Sequence, residues 1–278
     1  MNKFIFAILL LVLTPKVFAN ETPWVHHLDM AESRIIAAKN TSEADGTAWF
    51  AWELRLKPDW KVYWRSPGEA GLPPVLSLKD NNKEINLSPR FPLPERFELF
   101  GLQTFGYGTQ FVLPFKLEGV TANAPLTLGL AVDFMICKDI CIPFTSEYML
   151  KQTGDNTSDA EPHSATISMW LDRVPDVNGE AVAGLRIINT EVKGAVGHQN
   201  IIFEVEADQT LSRADILIES DEYFRFGKPK IDLIGRGNKA KLIVSVDGGK
   251  KKYNVIGRLA TLTFTDGRGN AIERKVKF

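Results

Sequence analysis

The 278-residue chain carries 33 Lys and Arg against 34 Asp and Glu, a formal net charge of −1 at pH 7. A charge this close to zero gives no electrostatic basis for binding nucleic acid or an acidic membrane surface. The length suits two domains of ordinary size.

The N-terminus has the pattern of a secretory signal peptide. An apolar run at residues 4–13 is followed by a small-residue cleavage site at Val17–Ala19. This run is too short to span a bilayer in a mature protein, and no later segment approaches the length of a membrane helix. We therefore expect residues 1–19 to be removed on export, which leaves Asn20 first in the mature chain. Export places the protein in an oxidising compartment, where disulfides form by default.

Alternating apolar residues predict the strands of the first domain. Between residues 48 and 56 they alternate with Glu53 and Arg55, as on a strand with one face in the core. Two stretches rich in proline and glycine, residues 66–74 and 88–101, lack a strand period and are predicted to lack regular structure. The second also carries large apolar residues, which must either fill the core or cover something at the surface.

Cys137 and Cys141 are the two cysteines of the sequence. The apolar alternation from Leu126 to Ile136 predicts a strand, on which residues four apart would be separated by about 13 Å. A disulfide needs Cα atoms within roughly 7 Å, so the intervening segment must turn and place the cysteines on neighbouring strands. Cys137 falls on the face opposite the core-facing residues, which predicts that it can meet another protein. A disulfide across so short a loop stabilises by only about 2 kcal/mol, which favours redox exchange over a structural staple.

The stretch 151–162 is polar and predicts a flexible linker, with the domain boundary between residues 155 and 156. After it, Ile167, Trp170 and Leu171 are spaced as on one face of a short helix.

The remainder of the chain is strand-rich. Apolar alternation at residues 201–205, 241–246 and 259–264 is separated by turn signals rich in glycine and aspartate. The expected fold is all-β, with residues 20–155 and 156–278 as tandem sandwiches and one short linking helix.

Five motifs in order along the first domain resemble a known family. They are Trp64–Pro74, Pro94–Arg96, Thr104–Tyr107, Leu113–Pro114 and Cys137–Pro143. The series resembles the N-terminal periplasmic domain of the DsbD/ScsB transmembrane thiol reductases. The three residues between the cysteines are similar to the ScsB branch in particular.

This resemblance implies immunoglobulin-like sandwiches and a periplasmic thiol–disulfide oxidoreductase that relays electrons through Cys137 and Cys141. Its implied partners are thioredoxin-fold periplasmic proteins. The sequence departs from the family in having no membrane-spanning or thioredoxin-like segment, which leaves its electron donor open. A membrane thiol reductase is one candidate donor. No cofactor is expected, and the family also implies links to cytochrome c biogenesis and copper tolerance. Within the family, the downstream cysteine bonds the partner, which assigns this role to Cys141 and the resolving role to Cys137.

In the family, a loop with an aromatic tip caps the cysteines until a partner arrives, and residues 97–101 match it in position. Phe100 is therefore the candidate shield, with Phe97 and Gly101 in the same loop. The alternative is that Phe97 and Phe100 fill the sandwich core.

Four charged residues are candidates for tuning the exchange. Glu95 and Glu98 could assist proton transfer. Lys138 would favour a thiolate at the neighbouring cysteines, and Asp139 would oppose it.

Two other classes of function stay open at the level of the sequence. Met135, Cys137 and Cys141 are soft ligands that suit Cu(I), as in a copper-tolerance module. The other alternative is an adhesive or scaffolding sandwich whose disulfide is only a staple. No further metal site is expected, since the sequence has no spaced set of histidines and carboxylates.

Overall fold

The computed structural model describes residues 20–38, 47–79, 86–120, 125–152, 161–177, 182–220, 224–247 and 254–278. The predicted signal peptide and most of the predicted linker lie outside these residues. The N-terminal part forms strands and one helix: β1 (Val25–His27), β2 (Ala31–Ala37), β3 (Thr47–Leu56), β4 (Lys61–Gly68), β5 (Val75–Leu78), β6 (Asn86–Pro89), β7 (Glu95–Leu99), β8 (Leu102–Gly108), β9 (Gln110–Glu118), β10 (Leu126–Cys137), β11 (Cys141–Gln152) and α1 (Glu161–Leu171). In this described part of the chain, no helix is long and apolar enough to cross a membrane.

Two antiparallel sheets in this part form a sandwich. The first sheet has the strand order β1-β2-β3-β9-β6, and the second has the order β11-β10-β4-β8-β7, with β5 also paired to β10. Side chains alternate between the two faces of each strand, so every second residue of β3 and β10 points inward. Trp52, Trp64 and Phe115 are fully buried between the sheets. We call β1 to β11 together with α1 the first sandwich.

Helix α1 confirms the predicted short helix and packs on the first sandwich. Its Ile167 and Trp170 side chains are buried in the same core as Trp52, and the Trp170 ring meets the edge of Phe111 with centroids 6.1 Å apart. The predicted boundary between residues 155 and 156 would have assigned the helix to the second domain. The apolar stripe of a short helix is stabilised by the sheet that it covers, so we propose that the division between the domains falls after α1.

The C-terminal part of the chain forms a second set of strands: β12 (Arg186–Lys193), β13 (Gln199–Glu206), β14 (Asp215–Ser220), β15 (Arg225–Phe226), β16 (Lys230–Ile234), β17 (Lys239–Asp247), β18 (Leu259–Thr265) and β19 (Ala271–Lys277). One sheet has the order β12-β13-β17-β15, with β16 also paired to β17, and the other has the order β14-β18-β19. Phe203 and Phe264 are fully buried in their shared core. We call β12 to β19 the second sandwich, and the all-β tandem fold is thereby confirmed.

Two stretches that the sequence predicts as irregular contain strands. Strand β4 continues through Pro67 to Gly68. Its register against β8 shifts after Tyr63, so the position of Pro67 needs no amide hydrogen for the ladder. Strand β7 occupies the middle of the stretch 88–101 and pairs with β8. Its alternation is hidden in the sequence because each face is covered only in part. Arg96 contacts the second sandwich and Phe97 packs near Tyr63, whereas Glu95 and Glu98 on the same two faces are exposed.

Candidate functional site

The two cysteines lie at the end of one strand and the start of the next. Cys137 closes β10, Cys141 opens β11, and the two are direct partners in the β10–β11 ladder. Their Cα atoms are 4.1 Å apart and their sulfurs form a disulfide. The turn between them is closed by a hydrogen bond that the Lys138 amide donates to the Ile140 carbonyl, 3.0 Å. The predicted hairpin is confirmed.

The two cysteines differ sharply in exposure. Cys141 is exposed, whereas Cys137 has 0% of its surface accessible. Cys137 does lie on the strand face that the alternation predicts, opposite the buried side chains of Phe134 and Ile136. The prediction that this face leaves Cys137 accessible is wrong, because β4 pairs Lys61 directly with Cys137 and places its side chains beside it.

The Tyr63 side chain contacts the disulfide. Its hydroxyl oxygen lies 3.7 Å from Cys141 Sγ, within hydrogen-bonding range for sulfur. The Tyr63 ring is fully buried although it lies outside the sandwich core. Burial raises the pKa of Tyr63, so the phenol stays protonated at neutral pH and can donate a hydrogen bond to a thiolate.

The space that Tyr63 needs depends on Gly106. Tyr63 and Gly106 are direct partners between β4 and β8. A Cβ at Gly106 would lie 2.0 Å from the Val62 carbonyl oxygen and 2.9 Å from the Tyr63 Cα, distances that no side chain can tolerate. Glycine therefore allows the two strands to approach closely beneath the Tyr63 ring.

The predicted cap is the β7–β8 hairpin. Phe97 lies on β7 with its ring centroid 6.3 Å from that of Tyr63, and Lys61 Nζ lies 5.9 Å from the same Phe97 ring. Phe100 and Gly101 form the two-residue tip, both with positive φ (55° and 74°), as in the tight turns that suit the twist of a hairpin.

Neither phenylalanine belongs to the sandwich core. Phe97 is partly buried, and Phe100 is 60% exposed at the tip. The alternative in which both fill the core is therefore wrong. Phe97 is the member of the predicted cap that packs on the site, and the role of Phe100 as a shield stays a prediction.

Two of the four candidate charged residues, Lys138 and Asp139, lie in the turn between the cysteines, and Glu95 and Glu98 lie on β7. Lys138 Nζ is 3.1 Å from Asp59 Oδ2, in an ion pair that is largely exposed to solvent and therefore weak. Asp139, Glu95 and Glu98 are all exposed to solvent.

The copper alternative concerns the reduced cysteines and stays a prediction. The described residues contain no cluster of three or more His, Cys, Asp or Glu side chains that could hold a metal ion. The two sulfurs that would bind Cu(I) are bonded to each other.

Sequence reasoning missed Tyr63 and Lys61 as neighbours of the cysteines. Their positions follow from the pairing of Ile136 with Val62, and strand register between distant segments leaves no local trace in a sequence. The one available signal was the segment of residues 60–64, in which a tyrosine stands between two residues that alternate toward the core.

Comparisons with known proteins agree with this geometry. Residues 32–153 match the family model described as thiol:disulfide interchange protein DsbD, N-terminal. Residues 173–278 match a second model, a domain of unknown function (DUF8393). No curated protein sequence is significantly similar to the chain.

Solved structures show the same architecture. The crystal structure of the N-terminal periplasmic domain of ScsB from Proteus mirabilis superposes with a TM-score of 0.71 at 22% sequence identity, and the match covers 94% of this chain and 99% of that one. At this identity the likeness establishes a shared fold. A marsupial T cell receptor matches with a TM-score of only 0.21 at 8% identity, over 91% of this chain and 99% of that one, which carries no argument.

The family match covers β3 to β11 and most of β2 in the first sandwich, including the cysteine hairpin, and the shared fold extends over both sandwiches. Residues 32–153 of the chain are therefore an N-terminal domain of the DsbD family of thiol:disulfide interchange proteins.

Proposed function

We propose that the chain is an exported thiol–disulfide exchange protein. Its Cys137–Cys141 pair passes two electrons from a reductase to thioredoxin-fold partner proteins. The observation that carries this proposal is the asymmetry of the pair, in which an exposed sulfur can meet a partner and a buried one cannot.

The exposed Cys141 can attack the disulfide of another protein, and it can itself be attacked by the thiolate of another protein. Strand β11 is at the edge of its sheet, and Pro143, two residues after Cys141, has no amide hydrogen for a ladder bond. Ile140, directly before Cys141, is 58% exposed and adds an apolar contact surface. A partner can therefore approach Cys141 without displacing the core.

The exchange proceeds in two balanced steps. In the reduced protein, the Cys141 thiolate attacks the disulfide of the oxidised partner, forms a mixed disulfide and expels one partner sulfur as a thiolate. Cys137 then loses its proton and attacks Cys141 Sγ. This step re-forms the Cys137–Cys141 disulfide and releases the partner as a dithiol. Two electrons and two protons have then passed to the partner.

Tyr63 supports the first step. A thiolate gains more from a hydrogen bond than a thiol does, so a phenol 3.7 Å from Cys141 Sγ favours the nucleophilic form. The same hydroxyl can stabilise the Cys141 thiolate when a reductase resolves its mixed disulfide with Cys141 and expels that sulfur.

The oxidised pair must be reduced again for each cycle. A dithiol reductase attacks Cys141 Sγ through one thiolate, and its second thiol resolves the mixed disulfide and leaves both cysteines reduced. We propose a membrane thiol reductase as this donor. The signal-peptide pattern at residues 1–19, together with the periplasmic source of the ScsB domain, supports the periplasm as the compartment.

The test uses a thioredoxin-fold protein with a single active-site cysteine, activated as its thionitrobenzoate mixed disulfide. Reduced Cys137→Ala should release the coloured thiolate and form a lasting covalent complex. Cys141→Ala should react at least about tenfold more slowly than Cys137→Ala, because its remaining thiol is buried. The reduced wild type should release the coloured thiolate and then free the partner thiol. Equal reaction of both variants would remove the assigned roles, and faster reaction of Cys141→Ala would reverse them. Reaction of neither variant would refute the proposal.

A further inference from the structure

Two segments enclose the Tyr63 ring that contacts Cys141. Phe97 of β7 packs near it on one side. The backbone after β4 also lies against it, where a Cβ on Gly71 would come within 2.3 Å to 2.5 Å of the tyrosine ring. The position of the Tyr63 hydroxyl therefore depends on where these two segments are held.

The second sandwich holds the β7 segment. Arg96, next to Phe97, donates two hydrogen bonds to the Asp215 carboxylate of β14, at 2.8 Å and 2.7 Å. The Arg96 guanidinium also lies over the Phe105 ring at 4.8 Å, and its side chain is only 13% exposed. Two parallel charge-assisted bonds fix both distance and orientation, so this pair locates β7 relative to β14.

The second sandwich also holds the segment after β4. Glu69 Oε1 lies 3.3 Å from Arg225 Nε of β15. The other Glu69 oxygen accepts a hydrogen bond from the Gln103 amide, 2.7 Å. Gln103, in turn, donates its side-chain amide to the Phe226 carbonyl at 2.8 Å. The segment, the hairpin and β15 are thus tied together.

We propose that the second sandwich is a positioning module, which sets the reactivity of Cys141 by holding the β7 hairpin and the segment after β4 against Tyr63. Arg96 and Glu69 are the positioning residues on the first sandwich, and Asp215 and Arg225 are their counterparts on the second. The biological meaning of this arrangement rests on the proposed exchange function.

The domain interface contains a third ionic contact that provides a control. Arg65 of β4 donates two hydrogen bonds to Glu219 at 3.0 Å and 2.6 Å and also pairs with Glu273 of β19. Among the contacts of the described residues, the Glu273 carboxylate pairs with Arg65 of β4 and with no residue of the β7 hairpin or of the segment after β4. Removing the Glu273 carboxylate weakens the interface between the sandwiches without releasing the β7 hairpin. The Glu273→Gln variant therefore distinguishes loss of positioning from a general weakening of the interface.

The experiment measures the rate at which iodoacetamide alkylates Cys141 as a function of pH, in the full chain carrying Cys137→Ala. Tyr63→Phe should raise the midpoint pH of alkylation by about 0.5 unit or more, because the thiolate loses a hydrogen bond. Asp215→Asn and Glu69→Gln should each raise it in the same direction, and Glu273→Gln should leave it at the parent value. In the Tyr63→Phe background, Asp215→Asn should add nothing, since both changes act through one contact.

Four results would overturn the proposal. The first two are an alkylation midpoint that stays at the parent value in both Asp215→Asn and Glu69→Gln, and one that stays there in Tyr63→Phe. The third is a shift in Glu273→Gln as large as that in Asp215→Asn, and the fourth is a full additional shift when Asp215→Asn is added to Tyr63→Phe. Asp215→Glu keeps the charge and should recover most of the parent midpoint. If Asp215→Asn fails to fold, Glu69→Gln tests the same proposal from the other segment. Failure of Cys137→Ala to form a complex with a thioredoxin-fold partner would refute the exchange function instead, whatever the alkylation midpoint.

Discussion

Reduction of the disulfide should weaken the first sandwich only slightly. Cys137 and Cys141 are separated by four positions. For a loop of this size, the chain-entropy relation predicts a stabilisation of about 2 kcal/mol. The hairpin does not depend on the bond, because β10 and β11 remain paired along all 12 residues of each strand. Cys137 also remains a small, uncharged side chain in its buried position after reduction.

Tryptophan fluorescence during urea unfolding measures this loss selectively. All six tryptophans lie in the first sandwich, between residues 24 and 170. With a denaturant dependence of about 1–3 kcal/mol per molar urea, reduction by a phosphine should lower the unfolding midpoint by about 1 M. The double variant Cys137→Ala/Cys141→Ala should give the same midpoint with and without the phosphine.

The opposite result would favour a structural disulfide. If the reduced protein lost native tryptophan emission without any urea, or if the midpoint fell by several molar, the bond would be a staple. The redox proposal would then lose its physical basis, because an exchange protein must stay folded in both states.

Two further predictions concern pH and the cap. Burial lowers the pKa of His27 from 6.5 to about 4 in the folded protein. As the pH drops from 6.5 toward 4, the histidine of the unfolded chain binds a proton while the folded protein does not, so the free energy of unfolding falls. The full loss is about 3 kcal/mol, and His27→Asn should flatten this part of the stability profile in urea unfolding at several pH values. A slope in His27→Asn as steep as that of the wild type would contradict the assignment. Phe97→Ala should raise the midpoint pH of Cys141 alkylation, because Phe97 packs on the Tyr63 ring whose hydroxyl stabilises the thiolate. Phe100→Ala should change stability by less than about 0.5 kcal/mol because its side chain is mostly exposed. Faster alkylation of the reduced cysteines in Phe100→Ala than in the wild type would make the hairpin tip the shield.

Patterns within single strands were readable without the structure. The alternation from Leu126 to Ile136, followed by two cysteines four apart, required a turn because an extended strand would hold the sulfurs too far apart. The same reasoning identified the helix around Trp170 and the strands near Phe203 and Phe264. These predictions succeed because they depend on the short-range geometry of the backbone.

Relations between distant segments required the tertiary structure. The burial of Cys137 follows from its pairing with Lys61, which is 76 residues away in the chain. The contact of Tyr63 with Cys141 and the hydrogen bonds between Arg96 and Asp215 likewise join segments that are distant in the chain. Helix α1 shows the same limit, since its apolar stripe was evident but the sandwich that buries it was not. A sequence specifies which side chains share a strand face through the period of two, but strand register and domain docking are decided by the summed packing of segments that are remote in the chain.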